Sequence, residues 1–71
     1  MTGEQFDTIA RRIRAHGPSR LAARLVLVDG LTQADAAHAH KVEPNALNNS
    51  VRRYREFDRA IREAYGLNGG L

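Results

Sequence analysis

Five side chains in the second half of the chain have the types and spacing to read a nucleic acid: Asn45, Asn48, Asn49, Arg52 and Arg53. At helical spacing they share one broad face, while Leu47 and Val51 fall on the other. Asparagine pairs with adenine through N6 and N7, and arginine with guanine through O6 and N7, so this face carries the chemistry of major-groove recognition. A plain helical hairpin with a polar outer surface is the alternative. Three asparagines on one helix argue against it, because asparagine is a poor helix former that packing and propensity do not select.

These residues need an element to position them, and the stretch from Gln33 to Arg53 supplies one. Thr32 is a candidate N-cap with Asp35 three residues on, and Leu31 is placed to act as a hydrophobic staple. A short alanine-rich helix over 33–39 follows, in which Ala34, Ala36, Ala37 and Ala39 permit close approach of another helix. His40-Lys41-Val42 forms the turn. Glycine is usual where Lys41 stands, so a left-handed lysine is expected there. Glu43-Pro44 opens the next helix, with proline at the first position, where its missing N–H is not needed. Leu47, Val51, Tyr54, Phe57, Ile61, Ala64 and Tyr65 then recur at steps of 3 and 4 and predict a long helix over 44–65, with a break around Arg55–Asp58 as an alternative. The pattern is that of a helix-turn-helix. Ala37 stands at the crossing, Leu47 and Val51 are buried, and helix 44–53 enters the groove. Thr32, Gln33 and Lys41 are expected to hold phosphates, with flanking arginines. Glu43 can cap the helix or accept from a cytosine N4.

The upstream segments read as support. Thr2 and Gln5 form a capping-box pattern. Phe6, Ile9, Ala10 and Ile13 then mark one face of a first helix over 3–16, stopped by Gly17-Pro18. Ser19 is a candidate N-cap for a second helix. Its run Leu25-Val26-Leu27-Val28 has strand propensity, yet no other segment is available to pair with a lone strand, so a helix buried on two sides is expected, ending at Asp29-Gly30. Arg11, Arg12, Arg14, Arg20 and Arg24 are either phosphate contacts or a solvated face. Arg11, four residues after Asp7, is read as its ion-pair partner, while Arg20 fits either role. Tyr54 is expected in the core with its hydroxyl reaching solvent or a phosphate.

The 71 residues make one small domain, with residues 1–66 as the DNA-binding unit and 67–71 as a flexible tail after the Gly66 cap. There is no cysteine, hence no disulfide to reinforce a small core, and a second copy is a natural source of missing burial. The distal helix, 55–66, offers Phe57, Ile61, Ala64, Tyr65 and Leu67 as a dimerisation seam. The net charge is +3, the pI about 10.2, and every basic residue except Lys41 is arginine, which suits nucleic acid as a partner. No apolar run approaches the roughly 18 residues of a membrane span, and the first residues lack the basic and apolar regions of a signal peptide. A cytoplasmic, nucleoid-associated protein is expected. No cofactor and no metal are expected either. His38 and His40, two apart on a helix, face different ways and have no evident third ligand. Neither serine lies in a nucleophile elbow, carboxylates are scattered, and no glycine-rich phosphate loop is present, so an enzyme is not expected.

Arg24-Leu25-Val26-Leu27-Val28-Asp29-Gly30, the Gln33…Ala37 pair, and Ala46-Leu47…Val51-x-Arg53 resemble the TrfB/KorA family of plasmid transcriptional repressors. The N-terminal Thr-Gly-Glu-Gln-Phe-Asp is also similar, and the likeness spans roughly residues 2–57. It implies an all-helical domain, four or five helices with a central helix-turn-helix, that binds short palindromic operators as a homodimer and represses transcription on plasmids, prophages or other mobile elements. By this resemblance the family's base-reading glutamine falls at Asn49 and its arginine at Arg53. The family's Thr-Arg at the start of that helix is replaced by Glu43-Pro44, and its turn glycine by Lys41, so a different operator is implied. Family members continue into a C-terminal dimerisation segment, whereas this chain stops soon after Tyr65, and the distal helix is expected to serve instead. Two other classes remain: a protein-interaction module or co-regulator that docks another regulatory protein on the apolar seam of helix 55–65, and an excisionase-like architectural DNA-binding factor.

Overall fold

A computed structural model describes the backbone of residues 1–69 and the side chains of residues 1–64. The described chain is all-helical: α1 (Gly3–Arg12), α2 (Gly17–Leu27), α3 (Gln33–His40) and α4 (Pro44–Gly69). The second segment is therefore a helix, as its lack of a strand partner requires.

Three of the four helix starts are capped by a side chain. The Gln5 N–H donates to Thr2 Oγ1 at 3.1 Å and the Thr2 N–H donates to Gln5 Oε1 at 2.9 Å, completing the capping box. Thr32 Oγ1 accepts from the Asp35 N–H at 3.1 Å. Glu43 Oε2 accepts from the Ala46 N–H at 2.9 Å. Such caps satisfy N–H groups that have no partner inside the helix. At α2 the expectation fails: the N-cap is His16, with no side-chain bond, and Ser19 lies inside the helix.

The first helix is shorter than the periodicity suggests. It closes at Ile13, Arg14 turns left-handed at φ 56°, and the Ala15 N–H donates back to the Ala10 carbonyl at 2.9 Å. The chain must reverse before Pro18, whose ring disfavours right-handed helical geometry at the preceding residue, and it does so through two left-handed residues, Arg14 and Gly17, the latter at φ 75°. At the other end, α4 runs unbroken through Arg55–Asp58 and past Gly66. Those parts of the expected tail beyond Gly69 lie outside the described residues.

The core explains how such short helices hold together. Phe6, Ile9, Leu47, Val51 and Tyr54 supply its large side chains, all from α1 and α4, while α2 and α3 contribute only Ala22, Ala23, Ala36 and Ala37 to full burial. Small residues let backbones approach closely, and α2 packs against α1, α3 and α4. Phe6 stacks on Tyr54 with ring centroids 4.5 Å apart and planes 18° off parallel, an aromatic pair that contributes about 0.5–1.5 kcal/mol beyond the area it buries. The apolar run of α2 is less enclosed than expected. Leu25, Val26, Leu27 and Val28 are half-buried, and Leu21 is 51% exposed.

Asp7 joins α1 to α2. Its Oδ1 lies 3.7 Å from Arg20 and 3.6 Å from Arg24, which replaces the expected pairing with Arg11. Packing of α2 on α1 brings two guanidiniums to the carboxylate from across the interface, in place of one along the helix.

Candidate nucleic-acid interface

The α3–α4 connection is three residues long, and its geometry follows from Lys41. That residue sits at φ 53°, ψ 44°, the left-handed region. The Val42 N–H then donates to the Ala37 carbonyl at 2.9 Å, closing the end of α3 and turning Val42 inward against the core. The left-handed cap is ordinarily a glycine position, and here lysine fills it, leaving its side chain exposed.

From Pro44 onward, α4 separates two faces. Leu47, Val51 and Tyr54 are buried at 0%, 1% and 1% exposure. Asn45, Asn48, Asn49, Arg52 and Arg53 are all exposed, together with Arg55. No acidic residue occurs from Pro44 to Arg55, and none of these three arginines forms an ion pair among the described residues. The Glu43 carboxylate is occupied at the cap of α4. Gln33 and Lys41 border one shallow groove with Ala37, Val42 and Pro44, so the start of α3 and the turn come together beside the first turn of α4. Thr32 is exposed at the N-cap of α3, with its hydroxyl oxygen engaged by the Asp35 N–H.

The expected dimerisation residues divide. Phe57 is half-buried and packs on the core, so much of its surface is already used within the chain. Ile61 is half-buried in an open groove beside Ile9 of α1, and Ala64 is exposed. The side chains of Tyr65 and Leu67 lie outside the described residues. Distal α4 carries ion pairs: Arg59 pairs with Glu63 at 3.1 Å and Arg62 with Asp58 at 2.9 Å.

Tyr54 departs from expectation. Its hydroxyl does not reach solvent but is buried without a hydrogen-bond partner among the described residues. Burial pushes its pKa up, opposed by the nearby charges of Arg20 and Arg53 and assisted by Asp7. Tyr54 borders a pocket with Arg14, His16, Arg20, Ser50 and Arg53, a cluster the sequence reading did not assemble. Its only sequence signal is the run of basic residues just before Gly17-Pro18.

No protein-family model, curated protein or solved structure matches this chain.

Proposed function

We propose that the chain is a sequence-specific DNA-binding repressor of the TrfB/KorA kind, acting as a homodimer on an operator of a plasmid, prophage or other mobile element. In this proposal α3, the Lys41 turn and the first three turns of α4 are a helix-turn-helix, and α4 lies in the major groove. One observation carries it: the outer face of α4 between Asn45 and Arg55 holds three asparagines and three arginines with no acid, opposite a fully buried apolar face.

Asn49 and Arg53 are the base readers, Asn49 suited to adenine and Arg53 to guanine. Asn45, Asn48 and Arg52 read or anchor beside them. Lys41, Thr32 and Gln33 contact phosphate from the α3 side. Glu43 serves mainly by capping α4, its carboxylate offsetting the partial positive charge of that helix N-terminus. The setting is cytoplasmic, at the nucleoid, and no enzymatic activity is invoked.

A mobility-shift assay on DNA upstream of the encoding operon tests the proposal. A specific shift at modest salt that weakens steeply as salt rises is expected, because bound phosphates release counterions. Absence of any specific shift from a folded protein rejects it. The open groove between Ile9 and Ile61 favours a second reading, docking of another regulatory protein on distal α4. Binding of that kind responds little to salt, so the same titration separates the two.

A further inference from the structure

We propose that the pocket between the α1–α2 turn and the flank of α4 is a phosphate seat, taken by a backbone phosphodiester of the duplex that α4 reads; the assignment to DNA rests on the function proposed above.

Three arginines and a histidine line it. Arg14 and His16 come from the turn and Arg20 from the first turn of α2, while Arg53, the guanine reader, borders it from α4. No carboxylate lines it. Asp7 meets Arg20 from the α1 side at 3.7 Å, fixing that guanidinium without lying in the pocket wall. Guanidinium groups bind phosphate oxygens through charge-assisted hydrogen bonds in a fixed fork. The N-terminus of the eleven-residue α2 opens here with no side-chain cap, so the N–H groups of its first turn add donors and partial positive charge.

Tyr54 supplies an independent observation. It is 1% exposed, it lines this pocket, and its hydroxyl has no partner. A buried hydroxyl without a partner is unfavourable, and an oxyanion drawn in beside Arg20 would supply the acceptor it lacks.

The location suits a backbone phosphate. At about 100° per residue, Ser50 and Arg53 lie on the flank of α4 between its buried face and the Asn45–Asn49 face. A phosphate held there borders the reading face on one side, and Lys41 and Gln33 border it on the other. The two strands of a duplex flank a helix in the major groove in the same way.

Two measurements on the full chain decide it. In the first, amide NMR spectra are followed with added inorganic phosphate and with sodium chloride at equal ionic strength. Saturable shifts at Gly17, Ser19 and Arg20 with phosphate alone are expected, and equal shifts from chloride overturn the seat. In the second, duplex affinity is followed against salt for the unaltered chain, Arg14→Gly and Tyr54→Phe. Glycine suits the left-handed Arg14 position, and phenylalanine keeps the stack on Phe6. Arg14→Gly is expected to lower the slope of log affinity against log salt by about 0.9, one phosphate contact, with base preference kept. Tyr54→Phe is expected to weaken binding about tenfold with the slope unchanged. An unchanged slope in Arg14→Gly, when the unaltered chain binds DNA, overturns the backbone assignment and leaves DNA reading intact; a phosphate response persisting alongside it identifies a free phosphorylated ligand as the occupant. Absence of duplex binding by the unaltered chain rejects the DNA reading itself, and the backbone assignment with it.

Discussion

Replacing Lys41 tests the turn and the interface together. The residue stands at φ 53°, ψ 44°, where a side chain with a Cβ costs roughly 1–2 kcal/mol relative to the right-handed helix. Glycine removes that penalty but gives the unfolded chain extra freedom, which offsets about 0.4–1 kcal/mol. The net expectation for Lys41→Gly is a gain of about 0.5–1 kcal/mol. At roughly 4–8 °C per kcal/mol for a domain of this size, the melting temperature rises about 2–8 °C. The local hydrogen bonds survive, because the Lys41 and Val42 amides that close α3 are backbone groups. Lys41→Ala separates the two roles, since it keeps the Cβ and its penalty and loses only the amine. Alanine is expected to leave stability within about 0.5 kcal/mol, as for an exposed surface change. Both variants are expected to lower the salt slope of DNA binding by about 0.9 if the amine contacts one phosphate. Thermal melts followed by circular dichroism, paired with salt titrations of duplex affinity, give both readouts. If glycine is no more stable than alanine at this position, the conformational reasoning is refuted. If both keep the full salt slope, Lys41 does not contact phosphate.

Arg53→Ala is expected to relax discrimination at one base pair by about 1–3 kcal/mol, measured as the affinity ratio between an operator and its single-site variants. Tyr54→Phe is expected to alter alkaline stability. Burial raises the hydroxyl's pKa in the folded protein, so its contribution is fully present below the unfolded value near 10 and is lost as pH rises through the folded value. Melts between pH 8 and 11 are expected to show a shallower decline for phenylalanine, and an identical decline refutes the assignment. Ala37→Leu, at 5% exposure in a core lined by alanine, is expected to destabilise by about 1–3 kcal/mol through overpacking, read as a lower urea midpoint.

The helix content and the two faces of α4 were legible because they follow from local spacing. Leu47, Val51 and Tyr54 recur at steps of three and four, and that pattern alone places Asn45, Asn49 and Arg52 outward. The Thr2 and Thr32 caps were legible for a similar reason, since each bond spans three residues. What escaped depends on contacts between helices. Asp7 has an eligible partner at Arg11, yet packing of α2 brings Arg20 and Arg24 to it. The end of α1 is set by where α2 must begin, not by the helix propensity of Arg11-Arg12-Ile13-Arg14. Periodicity buries Tyr54, but it does not show that the hydroxyl is left without a partner, beside an α1–α2 turn more than thirty residues earlier in the chain.

Charge is distributed along α4 in a way that confines where a polyanion can approach. Up to Arg55 the charged residues of the helix are all arginines; from Glu56 to Glu63 it carries Glu56, Asp58 and Glu63 against Arg59 and Arg62. The pairs Arg59–Glu63 and Arg62–Asp58 are exposed and add little stability, about 0.3–0.5 kcal/mol each for such spacing. Their effect on the field is larger than their effect on folding, because each cancels a positive charge that would otherwise draw phosphate along the whole helix. The uncancelled charge falls at Arg52, Arg53 and Arg55, and Arg14 extends it across the α1–α2 turn. Under the function proposed above, a duplex drawn to that patch would meet the asparagine face of α4, while the distal half, with three acids against two arginines and with Ile61 beside Ile9, would be left to protein contacts. One continuous helix thus carries two regions of different charge, with the boundary at Arg55–Glu56 marked by the sequence and not by a bend.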